Sequence, residues 1–245
     1  NTKDSNIIEQ IFNLFEVENT NLQLSEKEEL SLPKDFKLLS LCKTKSCAYA
    51  KNYLYKRNVS DENILRYKIG VSQESKFVNR VIFPSFDSDL NLNYYLTRTY
   101  DKNNRIKYRN CDANKKDIIF NENMIDWRKP LVLVEGVFDA LKIKTNVACM
   151  LGSWIDESHL LFQKIVKNKT DIILALDADA VSKSLSIAKN LSEYCINVKI
   201  ATGIISDIGS MDFLSVKNCI SKAKPFDNTN RMRYLISEVK SGSIF

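Results

Sequence analysis

A single histidine, His159, stands in a chain of 245 residues. Ser-His-Asp triads and Cys-His nucleophiles need an imidazole beside the nucleophile, so hydrolases of that design have little to stand on here. His159 itself reads as a residue on a helix face. The six cysteines, at 42, 47, 111, 149, 195 and 219, contain one close pair, Cys42 and Cys47. Neither a second pair nor a nearby histidine completes four tetrahedral ligands, so no zinc site is expected within this chain. Free thiols in a reducing cytoplasm are the expected state. Long apolar runs are missing too: Ile172–Leu176 and Leu131–Val134 fall far short of the roughly 20 residues of a membrane span. No secretory leader opens the sequence, and neither an internal repeat nor a low-complexity tract interrupts it. Residue 1 is Asn rather than Met, which reads as a piece of a longer protein.

What is there is an ordinary globular composition, 44% hydrophobic and 27% charged. The length suits one large domain or two modest ones. The net charge of +6 is unevenly laid out. Residues 1–42 carry 4 basic and 8 acidic side chains, net −4; residues 43–110 carry 14 and 6, net +8; residues 111–245 carry 18 and 16, net +2. A basic block with interleaved aromatics is an electrostatic footprint for polyanions. From charge alone it fits a solubilising surface equally well.

Periodicity divides the chain along similar lines. Residues 5–17 have helical spacing of Ile7, Ile8, Ile11, Phe12, Leu14 and Phe15, and a polar linker follows to Pro33. Residues 46–57 predict a helix with Ala48, Tyr49, Tyr53 and Leu54 on one face, and Ser60 predicts the cap of a second over 61–66. Val78–Phe83, ending at Pro84, and Asn93–Tyr100 read as strands joined by a turn at 87–91. Lys107–Asn110 and Asp117–Phe120 read as further short strands or extended segments. From Pro130 strands and helices alternate: strands at 131–134, 147–151, 171–176 and 197–201, helices at 136–144, 156–167, 181–195 and 212–222. That alternation predicts βαβ units and a parallel sheet. The boundaries drawn are 1–42 for an N-terminal helix and linker, 43–128 for a basic α+β part, 129–222 for the α/β part, and 223–245 for a helical tail.

Acidic residues cluster at predicted strand ends. Glu135 follows the first strand of the α/β part directly, and Asp177 and Asp179 follow the third. Parallel strands point their C-terminal ends to one edge, where ligands bind, so these carboxylates can meet. Asp139 lies four residues beyond Glu135, one helical turn on, and can face the same way. Oxygen-only donors suit Mg²⁺ or Mn²⁺, and a pair of such ions can clamp a phosphoryl displacement. Asp177-Ala178-Asp179 taken alone would as readily cap a helix; its pairing with Glu135-Gly136 is the specific signal.

Leu131-Val-Leu-Val-Glu135-Gly136-Val-Phe-Asp139-Ala-Leu141 and Ile172-Ile-Leu-Ala-Leu-Asp177-Ala-Asp179-Ala resemble the two motifs of the Toprim fold, with Met150-Leu-Gly152-Ser153 like its small turn between them. Toprim folds serve primases, topoisomerases and nucleases. The preceding block is more particular. Asn79-Arg80-Val-Ile-Phe-Pro84-Ser-Phe-Asp87, Tyr95-Leu-Thr-Arg98 and Lys107-Tyr108-Arg109-Asn110 resemble the basic subdomain of bacterial and phage DNA primases. Ala50–Ser60 with Tyr67-Lys-Ile-Gly70 resembles the segment that opens their polymerase domain, and Asp207–Asp212 an acidic tail motif. The sequence departs from the family at Val181-Ser182-Lys183, where a glycine usually stands, and the zinc-binding module that usually precedes the core is not among these residues.

The resemblance implies an α/β fold with a Toprim-type, mostly parallel sheet flanked by helices, preceded by a mixed α+β basic subdomain. It implies a DNA primase catalytic core that makes short RNA primers from NTPs on single-stranded DNA during replication, in the cytoplasm. Glu135, Asp177, Asp179 and Asp207 would hold Mg²⁺ or Mn²⁺, two ions in all, with Asp139 behind them. Glu135 as a general base stays open. Arg80, Arg98, Lys107, Arg109 and Tyr108 would contact template or triphosphate, with Tyr94, Tyr95 and Tyr100 as further candidates for stacking on bases. A replicative helicase and a separate zinc-binding module are the implied partners. The alternatives are a Toprim-type metal-dependent nuclease and a non-catalytic single-strand-binding module; a topoisomerase would need a further large domain.

Overall fold

The computed structural model describes residues 30–227 and Met232. The helix expected at 5–17 lies outside the described residues, as does the expected tail helix apart from Met232. Two five-stranded sheets belong to one unit that starts at Leu32. The first holds β1 (Lys37–Leu38), β2 (Gly70–Val71), β3 (Arg80–Phe86), β4 (Leu92–Thr99) and β5 (Tyr108–Asn110), in that order and antiparallel throughout. Between β1 and β2 the chain forms α1 (Lys45–Lys56) and α2 (Asp61–Arg66). Thr44 caps α1, accepting from Cys47 N–H, and Ser60 caps α2, accepting from Asn63 N–H at 3.2 Å. At Gly70 a Cβ would fall 2.3 Å from the Phe36 ring, so only glycine lets β2 sit beneath it.

The second sheet is β6 (Leu131–Val134), β7 (Val147–Cys149), β8 (Ile172–Leu174), β9 (Val198–Ile200) and β10 (Lys224–Pro225), in spatial order β10-β9-β8-β6-β7. The first four are parallel and β10 closes the edge antiparallel to β9. All four residues of β6 are buried, as a strand covered on both faces requires. The helices are α3 (Val137–Ala140), α4 (Leu160–Asn168), α5 (Val181–Glu193) and α6 (Phe213–Ser221). Leu161, Phe162 and Ile165 of α4, and Leu185, Ile187, Ala188 and Leu191 of α5, pack into one core with Leu131, Leu133, Ile172 and Leu174. Each fully buried Leu or Phe there contributes about 1.5–3 kcal/mol of burial free energy. No helix among the described residues is long and apolar enough to cross a membrane.

The α/β architecture expected from the sequence is present, with differences that have physical causes. Pro84 does not end β3: past Ile82 the strand has β4 as its partner while β2 pairs only at Ile82, so a missing N–H breaks no ladder on that side. On α1 the buried residues are Cys47, Ala50 and Leu54, while Ala48 and Tyr49 are exposed; the apolar face is turned from the one expected. Asp117–Phe120 joins no sheet. It follows a 3-10 turn at Lys115–Asp117 and buries Ile119 and Phe120 as extended chain. The helix expected at 136–144 is a single turn, and that expected at 156–167 starts at Leu160 because His159 is its N-cap. His159 Nδ1 lies 2.8 Å from Asp156 Oδ1. Cys42 and Cys47 form a disulfide instead of remaining free thiols; their Cα atoms lie 6.0 Å apart. The N-cap turn of α1 brings them within bonding reach. The first sheet begins before residue 43, at β1, and the second extends past 222, at β10.

A seam joins the two sheets. Asn63 Nδ2 donates to the Leu141 carbonyl and Lys142 Nζ to the Arg57 carbonyl, each at 2.7 Å. Phe138 of α3 meets Phe83 of β3 with ring centroids 5.3 Å apart and Tyr53 of α1 at 6.4 Å. Helix α1 is therefore held against the loop that follows β6.

Candidate active site

In the second sheet the chain steps from β6 outward to β7, then returns to β8 on the other side of β6. This reversal is a topological switch point, where the loops after neighbouring strands diverge and leave a crevice. Asp177 lies in the loop after β8, Asp139 sits in α3 after β6, and Asp207 lies in the loop after β9. One carboxylate oxygen from each of the three falls within 4.8 Å of the others, a set that could hold a metal ion.

Backbone N–H groups steady this set. Asp139 Oδ2 accepts from Gly136 N–H at 2.8 Å, Asp177 Oδ1 from Ile208 N–H at 3.1 Å, and Asp207 Oδ1 from Gly209 N–H at 2.8 Å. The 3-10 turn Ile208–Ser210 is thus folded onto the carboxylates. A Cβ on Gly209 would lie 2.9 Å from Asp139 Oδ1 and 3.1 Å from Asp207 Oδ1, so glycine is needed for this approach. Burial pushes the Asp139 carboxyl up to about 7; the Gly136 N–H opposes the shift and the Asp177 and Asp207 charges add to it. Asp177 is raised as well, first by burial, against the Ile208 N–H, and then by the charges of Asp207, Glu135 and Asp179. Buried carboxylates that also raise one another's proton affinity in a crevice mark a candidate functional site.

The other acidic candidates border the set. Glu135, directly after β6, turns to Lys183 on α5, Oε1 to Nζ 2.9 Å. Asp179 is exposed, near enough for its charge to act on Asp177. Asp212 caps α6, accepting from Ser215 N–H at 3.0 Å. A hollow of about 210 Å³ opens beside Asp177, lined also by Ser184, Thr202 and Gly203. A larger groove of about 660 Å³, between Phe36, Leu41, Pro84 and Phe86, shares no residue with the carboxylates.

The basic candidates separate into surface and interior. Arg98 Nε donates to Tyr53 Oη at 3.2 Å, and its guanidinium lies 4.3 Å from the Tyr108 ring centroid. Lys107 and Arg109 are exposed, donating to the Lys102 and Lys76 carbonyls. Arg80 is not at the surface. It is 2% exposed, and its guanidinium donates to the Ile106 carbonyl at 2.6 Å and the Lys107 carbonyl at 3.4 Å. Tyr94 is fully buried as well, whereas Tyr95 and Tyr100 are half-buried against Phe77 and Tyr53. Arg57, the C-cap of α1, is half-buried rather than on a solvated face. Its guanidinium lies 4.1 Å over the Phe138 ring and donates to Tyr53 Oη at 3.3 Å. Tyr53 of α1 and Arg57, its C-cap, are four apart, a spacing legible in the sequence; which way that pair faces was not. Buried Lys142 joins them on the same seam, its charge felt by Arg57, Asp207, Asp212 and Asp139.

The site and sheets together define a class. The arrangement of one antiparallel and one mostly parallel sheet is the fold that solved primase catalytic cores share with this chain. The particular likenesses are consistent across solved structures. The zinc-binding and RNA polymerase domains of the Aquifex aeolicus primase match with a TM-score of 0.65 at 15% identity, over 80% of this chain and 60% of that one. The DnaG primase catalytic domain bound to single-stranded DNA matches with a TM-score of 0.60 at 17% identity, over 75% and 74%. In sequence, the chain is similar to a DNA primase of Staphylococcus epidermidis, 26% identical over 68% of this chain. It spans about a third of that relative's length, 35%. No protein-family model matches the chain.

Proposed function

We propose that the chain is the catalytic core of a DNA primase, joining ribonucleotides into short RNA on a single-stranded DNA template. The observation that carries this reading is the Asp139–Asp177–Asp207 set at the switch point, bordered by the seam of Arg57, Arg98 and Tyr108. The donor set is all oxygen, partly buried and mutually repelling, and it fits a hard divalent cation. Asp139, Asp177 and Asp207 would hold the ion, with Glu135 and Asp179 within reach of a second. Such a cation, when bound, supplies charge neutralisation for a triphosphate and for the attacking 3′-hydroxyl.

The rest of the work falls to the chain. Arg57, Arg98, Lys107 and Arg109 attract and orient phosphates, and Tyr108, 46% exposed, offers a face to a base. The Toprim resemblance, the helicase partner and a zinc-binding module acting with this core belong to the same reading.

Single-stranded template, NTPs and Mg²⁺ incubated with the protein should yield NTP-dependent RNA. Asp177→Asn should lower the yield by about 100-fold or more while leaving the circular dichroism spectrum unchanged. Absence of RNA even with the zinc module and helicase supplied would refute the reading. Shortened DNA in place of RNA would favour a nuclease.

A further inference from the structure

Lys183 is the third residue of α5, which begins at Val181. The first turn of a helix carries partial positive charge, so a cation there is disfavoured, and the third position is where Glu or Gln is at home. No acidic residue in the first turn of α5 offsets it. The lysine instead reaches across the switch-point crevice to the end of β6, placing Nζ 2.9 Å from Glu135 Oε1. The two side chains are only 24% and 23% exposed. Farther along the same helix, Lys189 and Glu193 make the ordinary surface pair, 3.8 Å apart and 64% and 60% exposed. A half-buried pair is screened less by water and salt than a surface one. Lys183 therefore puts one fixed positive charge on Glu135, whose own charge acts on Asp177.

We propose that Lys183 is a built-in counter-ion that occupies Glu135 in competition with a divalent cation. Metal uptake at Glu135 is then an exchange: the cation takes the carboxylate and the ammonium is released into the crevice. The chain consequently binds its metal more weakly than its carboxylates alone would. This rests on the primase reading only in placing a divalent cation at this edge of the sheet. Lys183 is a positioning residue for that site.

The test is Mn²⁺ alone, titrated into the protein and followed by the electron paramagnetic resonance signal of the free ion. Lys183→Met should tighten binding by about tenfold, the effect of removing one nearby, partly desolvated positive charge. Lys183→Gln serves as a second uncharged variant, and Lys183→Arg should retain the parental affinity. Lys189→Met removes the same charge from α5 outside the crevice and should change nothing. Adding Glu135→Gln to Lys183→Met should abolish the gain. Parental affinity in both uncharged variants, with Asp177→Asn abolishing binding, would overturn the lysine inference and leave the metal site standing. An equal gain in Lys189→Met would overturn it as a general charge effect. Failure of parent and variants alike to take up Mn²⁺ would overturn both this inference and the metal-dependent reading.

Discussion

Asp139 is a carboxyl kept where its charge is disfavoured. Its position in the folded protein, at about 7, lies above the ordinary 3.8 because it is buried, with the Asp177 and Asp207 charges adding to the effect. The folded chain then holds a proton that the unfolded chain has released, so this group's contribution to stability is present at low pH and is lost as pH rises from about 4 towards 7. Asp139→Asn cannot ionise. In EDTA, chemical denaturation should find the variant more stable than the parent at pH 8, with the advantage disappearing near pH 4. With Mn²⁺ at pH 8 the order should reverse, because only the parent gains a ligand for the ion. If the gap between the two proteins in EDTA does not widen with pH, Asp139 is not the strained carboxyl described. In sequence Asp139 shows only as a residue one turn beyond Glu135. That Asp139, and not Glu135, joins Asp177 and Asp207 depends on side-chain direction: Glu135 spends an oxygen on Lys183, while Gly136 and Gly209 draw the Asp139 carboxylate inward.

Among the elements, β3 and β5 show how a basic residue can be structural. Arg80 opens β3 and pairs in register with Thr99 of β4, and its guanidinium reaches past β4 to the carbonyls of Ile106 and Lys107 just before β5. It fastens the segment that presents Lys107, Tyr108 and Arg109. Arg80→Met should leave the Ile106 carbonyl without this donor, while the Lys107 carbonyl keeps the Thr99 N–H, and cost about 1–3 kcal/mol of stability. Single-strand affinity per folded molecule should stay close to the parent's. A loss of affinity with unchanged stability would return Arg80 to the binding surface. The same lesson holds for α1, whose amphipathic spacing was legible but whose buried face, Cys47, Ala50 and Leu54, was set by the tertiary fold, with Tyr53 turned to Phe138 at the seam.

At the scale of the whole molecule, charge is divided between the two sheets. The block from 43 to 110, net +8, builds strands β2 to β5 with α1 and α2, and the near-neutral remainder after 110 carries the carboxylate crevice. A single strand crossing from one to the other would be held by counterion release on the basic side. Lys107→Ala combined with Arg109→Ala should weaken binding and reduce the slope of log K against log salt by about 1 to 1.5, two phosphate contacts at roughly 0.7 each. Fluorescence anisotropy between about 50 and 200 mM NaCl measures it. An unchanged slope would remove both residues from the strand's path.

Local patterns gave the sequence its reach. Alternation of Leu131–Val134, Val147–Cys149, Ile172–Leu174 and Val198–Ile200 with helices sufficed for a parallel sheet, because strand and helix periods are properties of neighbouring residues. The position of Asp177 at a strand end was legible for the same reason. Contacts between distant segments were not. Whether Arg80 points into the core or Arg57 onto the seam depends on what the opposite element presents, Ile106 in one case and Phe138 in the other. The choice of Asp139, Asp177 and Asp207 as the tight set, the disulfide between Cys42 and Cys47, and the capture of Glu135 by Lys183 were likewise tertiary decisions. Directions of side chains across a crevice follow from packing and desolvation in three dimensions, and no spacing along the chain encodes them.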